Sequence, residues 1–419
     1  MKELSSRTNW WWVILFTVLG MVMLWPAQAA LIGEGRDIRQ DYIAARRFFL
    51  GSDLYAPFTN VELASIAVKP DLGMPRNFHP PTTLVFFAPL ALLSFKWAVV
   101  MWGIITLGAF FASVHLIMRE LGYGKWMFVV PAMIWWFPLW LHVRFGQFSV
   151  LTLLFLTLFW LSIRRNRQSM AGVWLALACL IKLFPLMVLL LLFLKRQWKA
   201  LGSALFVIGI ATIAILAYYP ESLLSFFARV APDNALIFRS YFGNFSLNGF
   251  IGRLFHGTAG ISPLVPVYAS GVEEVSRFVG LALVGIVVLI YVLRVKDYDL
   301  CFSIIVVAML IVSPVTWAHS FTILLLPGLI LWRSLGGPDN QGARVLTILL
   351  SLFSCFPHWQ YYEWLRMISP GQLLPAWLLL TSPGFYVLIG MFALIILQGG
   401  KYRTRQPVGE LNTRGSWNP

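Results

Sequence analysis

In an apolar chain every charge needs a reason, so the search for chemistry starts with the carboxylates and cations. The stretch GRDIRQDYIAARRFFLGSDLYAPF, residues 35–58, concentrates them: Arg36, Asp37, Arg39 and Asp41 fall almost side by side. Read as a helix from about Ile38 to Leu50, its three- and four-residue spacing puts Ile38, Asp41, Ala45 and Phe48 on one face. Asp41 then lies on the apolar stripe, with Arg39 and Arg46 on another. A carboxylate so placed is costly unless it is partnered or used. Two readings follow. Asp41 pairs with a neighbouring arginine and orients the loop, or it is a general base at the membrane surface, poised for a substrate hydroxyl.

Four further stretches carry residues of the right types. SPVTWAHSF, 313–321, sets His319 at a helix start beside Trp317. ACLIKLFP, 178–185, places Lys182 inside an apolar run ahead of the helix-breaking Pro185. Such a lysine either snorkels to the interface or binds a phosphate as a point charge. RFGQFS, 144–149, holds Arg144 and Gln147 in a short turn, and NFHPP, 77–81, sets His79 before a proline pair. Each of these residues also has a plain reading as a solvated or hydrogen-bonded side chain. Asp37 and Asp41 are too few ligands for a cation, so no metal is expected. HExxH, GxSxG, Walker A and strand-borne GxGxxG patterns are absent, which argues against a zinc protease, a serine hydrolase and a nucleotide-binding domain.

The elements that position these residues are membrane helices. The chain has 419 residues, 59% of them hydrophobic and only 12% charged, against roughly 25% charged in soluble domains. That composition predicts an all-α polytopic membrane protein. The net charge of +15 comes in small clusters between apolar runs, such as RRNR at 164–167 and KRQWK at 195–199. This is the positive-inside pattern of cytoplasmic loops rather than a nucleic-acid groove. Cys179, Cys301 and Cys355 lie in apolar runs and suggest neither disulfides nor a metal site.

About twelve spans are expected: 9–30, 97–118, 126–143, 147–163, 169–183, 185–195, 200–219, 276–294, 300–314, 319–333, 344–357 and 375–397. The first is read as an uncleaved helix although it ends in AQAA. All basic clusters fall on one side only if PPTTLVFFAPLALLSF, 80–95, does not cross, so this stretch is expected to lie in or dip into the outer leaflet. The regions 31–96 and 220–275 are then outer loops. Residues 1–400 form a single transmembrane domain, and 401–419 a disordered cytoplasmic tail. Asp41, His79, Arg144, Gln147, Lys182 and His319 all reach the outer side in this topology.

Taken in order, six segments resemble glycosyltransferase family 87 of the GT-C superfamily: DYIAARRFFLGSDLY (41–55), FHPPTTLVFFAPLALLS (78–94), FGQFSVLTLLFLTLFWL (145–161), AGVWLALACLIKLFPLMVLLLLFLKRQWK (171–199), NFSLNGFIGRLF (244–255) and SPVTWAH (313–319). The resemblance implies a GT-C-type fold with outer-face juxtamembrane helices. It implies a polyprenyl-phosphate sugar donor, typically mannosyl, a glycan or glycolipid acceptor, and inverting transfer outside the cytoplasm without a nucleotide sugar or other cofactor. It puts the base at Asp41, followed by Tyr42, and puts His319 at the site. Lys182, with Arg144 or Arg46, becomes the contact to the donor phosphate. Tyr42, Gln147, His79, Asn244 and Trp317 become substrate contacts. Ala318-His319-Ser320 stands where several relatives carry paired histidines, and NFS where NQS is commoner; both departures bear on which sugar and acceptor are used. A plasma-membrane location follows.

A transporter or lipid flippase is the competing reading. It predicts related halves and paired broken helices, and neither is visible. A non-catalytic envelope scaffold would have no use for Asp41.

Overall fold

The structure, a computed structural model, describes residues 36–66, 76–123, 136–258, 270–336, 340–354, 361–364, 367 and 377–404. The expected first helix at 9–30, Cys355 and the end of the tail lie outside these residues. Every regular element among the described residues is helical.

The first helix, α1 (Arg36–Leu50), is amphipathic. Ile38, Tyr42, Ala44, Ala45 and Asp41 are all buried. It stops at Gly51, whose φ of 65° is a left-handed turn that a side chain resists. Gly51 N–H and Ser52 N–H bond back to Phe48 and Arg47 carbonyls at 3.3 and 3.0 Å. Arg47 then ties down the loop that follows. Its guanidinium donates to the carbonyls of Asp53, Ala56 and Pro57 and pairs with Glu62 at 2.7 Å. Arg39, on another face of the helix from Asp41, is only 1% exposed.

The stretch 80–95 is no single helix. Prolines break it into a turn at Pro81–Thr83, a short helix at Leu84–Phe87 and another turn at Leu90–Leu92. Next come α2 (Phe95–Glu120), α3 (Phe137–Phe145), α4 (Ser149–Arg164), α5 (Gln168–Ile181), α6 (Met187–Leu194) and α7 (Trp198–Tyr218). Short turns over 220–237 lead to α8 (Leu247–His256), then α9 (Ser270–Arg294), α10 (Tyr298–Val312), α11 (Leu325–Ser334), α12 (Gln341–Ser354) and α13 (Pro383–Thr404). The core sits around α10, all twelve of whose residues from Leu300 to Ile311 carry no more than 1% exposure, so it is sheathed by the other helices.

Four helices among the described residues are long and apolar enough to cross a membrane: Phe95–Glu120, Trp198–Tyr218, Gly271–Arg294 and Pro383–Lys401. The pair α3 and α4 makes a fifth span if counted as one, but it is bent by 117°. Helices α5, α10 and α12 are apolar and shorter. The structure thus supports a helical membrane protein with four such spans, and the twelve expected remain an expectation. At one end of the bundle, Arg164 pairs with Glu120 at 3.0 Å and with Asp299. Trp160 Nε1–H donates to Asp299 at 2.8 Å. These contacts lock the ends of α2, α4 and α10 together.

Candidate active site

A cavity of about 630 Å³ opens between α1, the α3–α4 elbow, the α5–α6 break and the 312–320 loop, roofed by the 226–241 segment. Its polar wall is built from residues far apart in sequence.

The elbow supplies Gln147. Gly146 ends α3 with φ 68°, and a Cβ there would sit 2.8 Å from Ile38 Cβ. Only glycine lets the elbow press against α1 this closely. Trp102 Nε1–H donates to the Gly146 carbonyl at 2.8 Å, and Gln147 N–H donates to His142 O at 3.2 Å. Gln147 Nε2 therefore meets the Asp37 carboxylate and donates a short hydrogen bond to Oδ2. Asp37 lines the cavity yet is buried, and that burial raises its pKa above the ordinary carboxylate value, against the opposing Gln147 hydrogen bond.

Asp41 lies one helical turn further on and does not line the cavity. Both of its oxygens face His79 Nδ1, at 2.9 and 3.0 Å. The other ring nitrogen, Nε2, is 3.1 Å from Lys182 Nζ. With Lys182 as an ammonium, which can only donate, Nε2 would accept and Nδ1–H would donate to Asp41. Asp41, His79 and Lys182 form a chain whose last two members reach the cavity. His79 is fixed from several sides. Its N–H bonds to Asn77 Oδ1 at 2.9 Å, and its carbonyl accepts from Tyr55 OH at 2.9 Å. Its ring meets Phe148 edge-on at 5.3 Å, and Phe148 in turn packs on Trp102 at 4.9 Å. Edge-on aromatic contacts of this kind are worth about 0.5–1.5 kcal/mol each. Lys182 is held at the cavity because α5 ends at Ile181 and Pro185 prevents a continuous run into α6.

Across the cavity, His319 Nδ1 is 2.8 Å from Ser149 Oγ at the start of α4. Trp317 lines the cavity against Phe238 and Tyr241, with ring centroids 5.0 and 5.5 Å away.

The remaining predicted site residues stand elsewhere. Asn244 is fully buried and saturated: its amide donates to Phe238 O and Pro314 O, and its oxygen accepts from Ser246 and Thr316. It clamps the 313–317 loop rather than lining the cavity. Tyr42 OH donates to Leu93 O at 2.7 Å, also outside the cavity. Arg46 is exposed, with its guanidinium 5.9 Å from the Tyr42 ring. Arg144 lies over Trp140 at 5.2 Å and is not among the cavity-lining residues. Sequence reasoning overlooked Gln40, whose Oε1 accepts from Phe78 N–H at 3.0 Å, as well as Ser149 and the cavity-facing role of Asp37. The four-residue interval between Asp37 and Asp41 could have flagged Asp37, since it puts both on one helix face. Among the described residues no group of three or more His, Cys, Asp or Glu side chains could hold a metal ion.

The family model described as Glycosyltransferase family 87 matches residues 77–314, more than half of the chain, and the chain belongs to that family. Two curated relatives are similar. Each is named a polyprenol-phosphate-mannose-dependent alpha-(1-2)-phosphatidylinositol pentamannoside mannosyltransferase. The one from Mycobacterium tuberculosis is 27% identical over 66% of this chain and 62% of its own. The one from Mycolicibacterium smegmatis is 28% identical over 66% of this chain and 65% of its own. The match thus spans a little under two thirds of each relative's length. No solved structure matches.

Proposed function

We propose that this member of glycosyltransferase family 87 transfers a hexose, with mannose the leading candidate, from a polyprenyl-phosphate donor to a glycan or glycolipid acceptor. The family match supports glycosyl transfer, and the relatives' names support the donor. The observation that carries the reading is the placing of Asp37 and Lys182 on one cavity wall, a carboxylate for the nucleophile and a cation for the leaving group.

In this reading the acceptor oxygen attacks the sugar C1 from the face opposite the phosphate. The new C1–O bond forms as the C1–O bond to phosphate breaks, which inverts the centre. The acceptor proton passes to a carboxylate, and the bond pair leaves with the polyprenyl phosphate. Asp37 is in position to take that proton because it lines the cavity. We set Asp37 in the place that the sequence reading gave to Asp41, because Asp37 lines the cavity and Asp41 does not. Asp41 instead holds the His79 ring, which meets Lys182 and aims the ammonium at the departing phosphate. No metal or other cofactor enters this scheme. The polyprenyl chain lies among the apolar helices and the acceptor approaches from the extracytoplasmic side. Incubating the purified protein with polyprenyl-phosphate [14C]mannose and membrane glycolipids tests this. A labelled glycolipid supports the reading, while label left wholly on the donor, with glucose and galactose donors equally inert, contradicts it.

A further inference from the structure

We infer that Gln147 is a specificity-determining residue that accepts a hydrogen bond from a second acceptor hydroxyl, vicinal to the one that attacks. The inference rests on the transfer reading above and goes beyond it to the shape of the acceptor.

Gln147 lines the cavity and is 4% exposed. With Asp37 ionised, as a base must be, Nε2 faces its carboxylate, because an amide oxygen in that place would be repelled. That leaves Oε1 turned away from Asp37. This oxygen is buried and has no hydrogen-bond partner among the described residues. A buried acceptor without a donor is uncommon and costs free energy that an arriving O–H recovers. The backbone that carries it is stiff, held by the left-handed Gly146, the Trp102 indole and the His142 carbonyl. The oxygen is thus preorganised rather than free to swing elsewhere.

Asp37 and Gln147 both line the cavity, and they bring a carboxylate and a side chain with an unsatisfied amide oxygen into direct contact. Both are acceptors, so the pair calls for two neighbouring donors. A vicinal diol of a pyranose supplies them: one hydroxyl gives its proton to Asp37 as it attacks, and its neighbour donates to Gln147 Oε1. An acceptor lacking that neighbour leaves the amide oxygen unpaired when the site closes around it. Sites built to hydrogen-bond a substrate hydroxyl reject the analogue without it strongly. The rival explanation is that Gln147 serves only to orient Asp37.

The test uses the purified full-length chain, polyprenyl-phosphate [14C]mannose, and octyl α-mannoside with its monodeoxy analogues as acceptors. Linkage analysis of the parent product identifies the attacked hydroxyl and so the neighbours to be compared. The wild-type protein is expected to lose about 10²-fold in kcat/KM on one neighbour-deoxy acceptor. Gln147→Met is expected to slow the parent acceptor and to use the parent and that analogue within a few-fold of each other. A residue that merely orients Asp37 would slow both acceptors alike and keep their ratio. The inference is overturned if wild-type protein uses every neighbour-deoxy acceptor as well as the parent, a result independent of any variant's folding. It is also overturned if Gln147→Met retains the wild-type ratio. Absence of transfer by wild type to any glycolipid or mannoside overturns the transfer reading itself, and that outcome is seen before any variant is compared.

Discussion

Gln147 and Asp37 stand 110 positions apart in the chain, yet the amide of one donates directly to the carboxylate of the other inside the cavity. In the proposed scheme the contact marks out which acid meets the acceptor. It also ties the first described helix to the α3–α4 elbow, so that local changes in the elbow are felt at Asp37.

Lys182 is the cation that the scheme assigns to the leaving phosphate. Lys182→Gln is expected to lower kcat/KM for the polyprenyl-phosphate donor by about 10²–10³-fold, the usual size for removing one transition-state charge contact. Acceptor KM should change little. Steady-state kinetics with each substrate varied in turn separates the two, and an effect confined to the acceptor would argue against the phosphate role.

Burial raises the Asp37 pKa, and a base must be ionised to act. Transfer should therefore rise with pH through that elevated value, with an acid limb in kcat/KM above the range of an ordinary carboxylate. For stability the sign is opposite: a buried acid with a raised pKa favours the folded state at low pH, and that contribution is lost as pH climbs through the folded pKa. A pH–rate profile with its acid limb at or below about 4, the range of an unperturbed aspartate, would contradict Asp37 as the base.

The Arg47–Glu62 pair gives a pH dependence of stability away from the cavity. Hydrogen bonding from Arg47, more than burial opposes it, holds Glu62 down to about 2 from an ordinary 4.5. The stabilisation is present above 4.5 and is lost as pH falls from there toward about 2. Screening at this half-buried pair trims it to the order of 1–2 kcal/mol. Thermal unfolding in detergent from pH 6 to 3 should show the wild type losing stability faster than Glu62→Gln.

Two glycines should respond in opposite ways. Gly146→Ala forces an L side chain into φ 68° and puts its Cβ 2.8 Å from Ile38 Cβ, at a cost of about 1–3 kcal/mol, and it shifts Gln147 off Asp37. Gly202, inside α7, has open space where a Cβ would go. Gly202→Ala should leave transfer intact and stabilise the helix by about 0.5–1 kcal/mol. Melting curves and transfer rates of the two variants check this, and equal behaviour of the two would contradict the role given to the elbow.

Much of the site was legible because its residues violate the apolar background. His79, Lys182, Gln147, Trp317 and His319 stand out in sequence, and all five line one cavity. What stayed hidden was pairing. Periodicity puts Asp37 and Asp41 on one face but says nothing about which faces substrate. That is decided by His79 and Gln147, which are brought in from other segments. Arg46 and Arg144 looked like phosphate ligands because they are cations near the right loops, yet Arg46 leans on Tyr42 and Arg144 on Trp140. Asn244 was offered as a substrate contact by the family resemblance, but here its buried amide serves the backbone around it. In the fold, helical class follows from composition. Span number does not, because prolines and glycines break apolar runs into pieces such as α5, α6 and the bent α3–α4 pair.

In the proposed scheme Asp37 takes the acceptor proton while Asp41 acts through His79 and Lys182. The direct measurement is transfer from polyprenyl-phosphate [14C]mannose by purified wild type, Asp37→Asn and Asp41→Asn, each first shown to be folded by its melting curve. Asp37→Asn is expected to lose at least about 10³-fold in kcat. Asp41→Asn is expected to keep measurable turnover with a raised KM for the donor. An Asp37→Asn protein that turns over at the wild-type rate, or an Asp41→Asn protein that alone is inactive, would contradict the account.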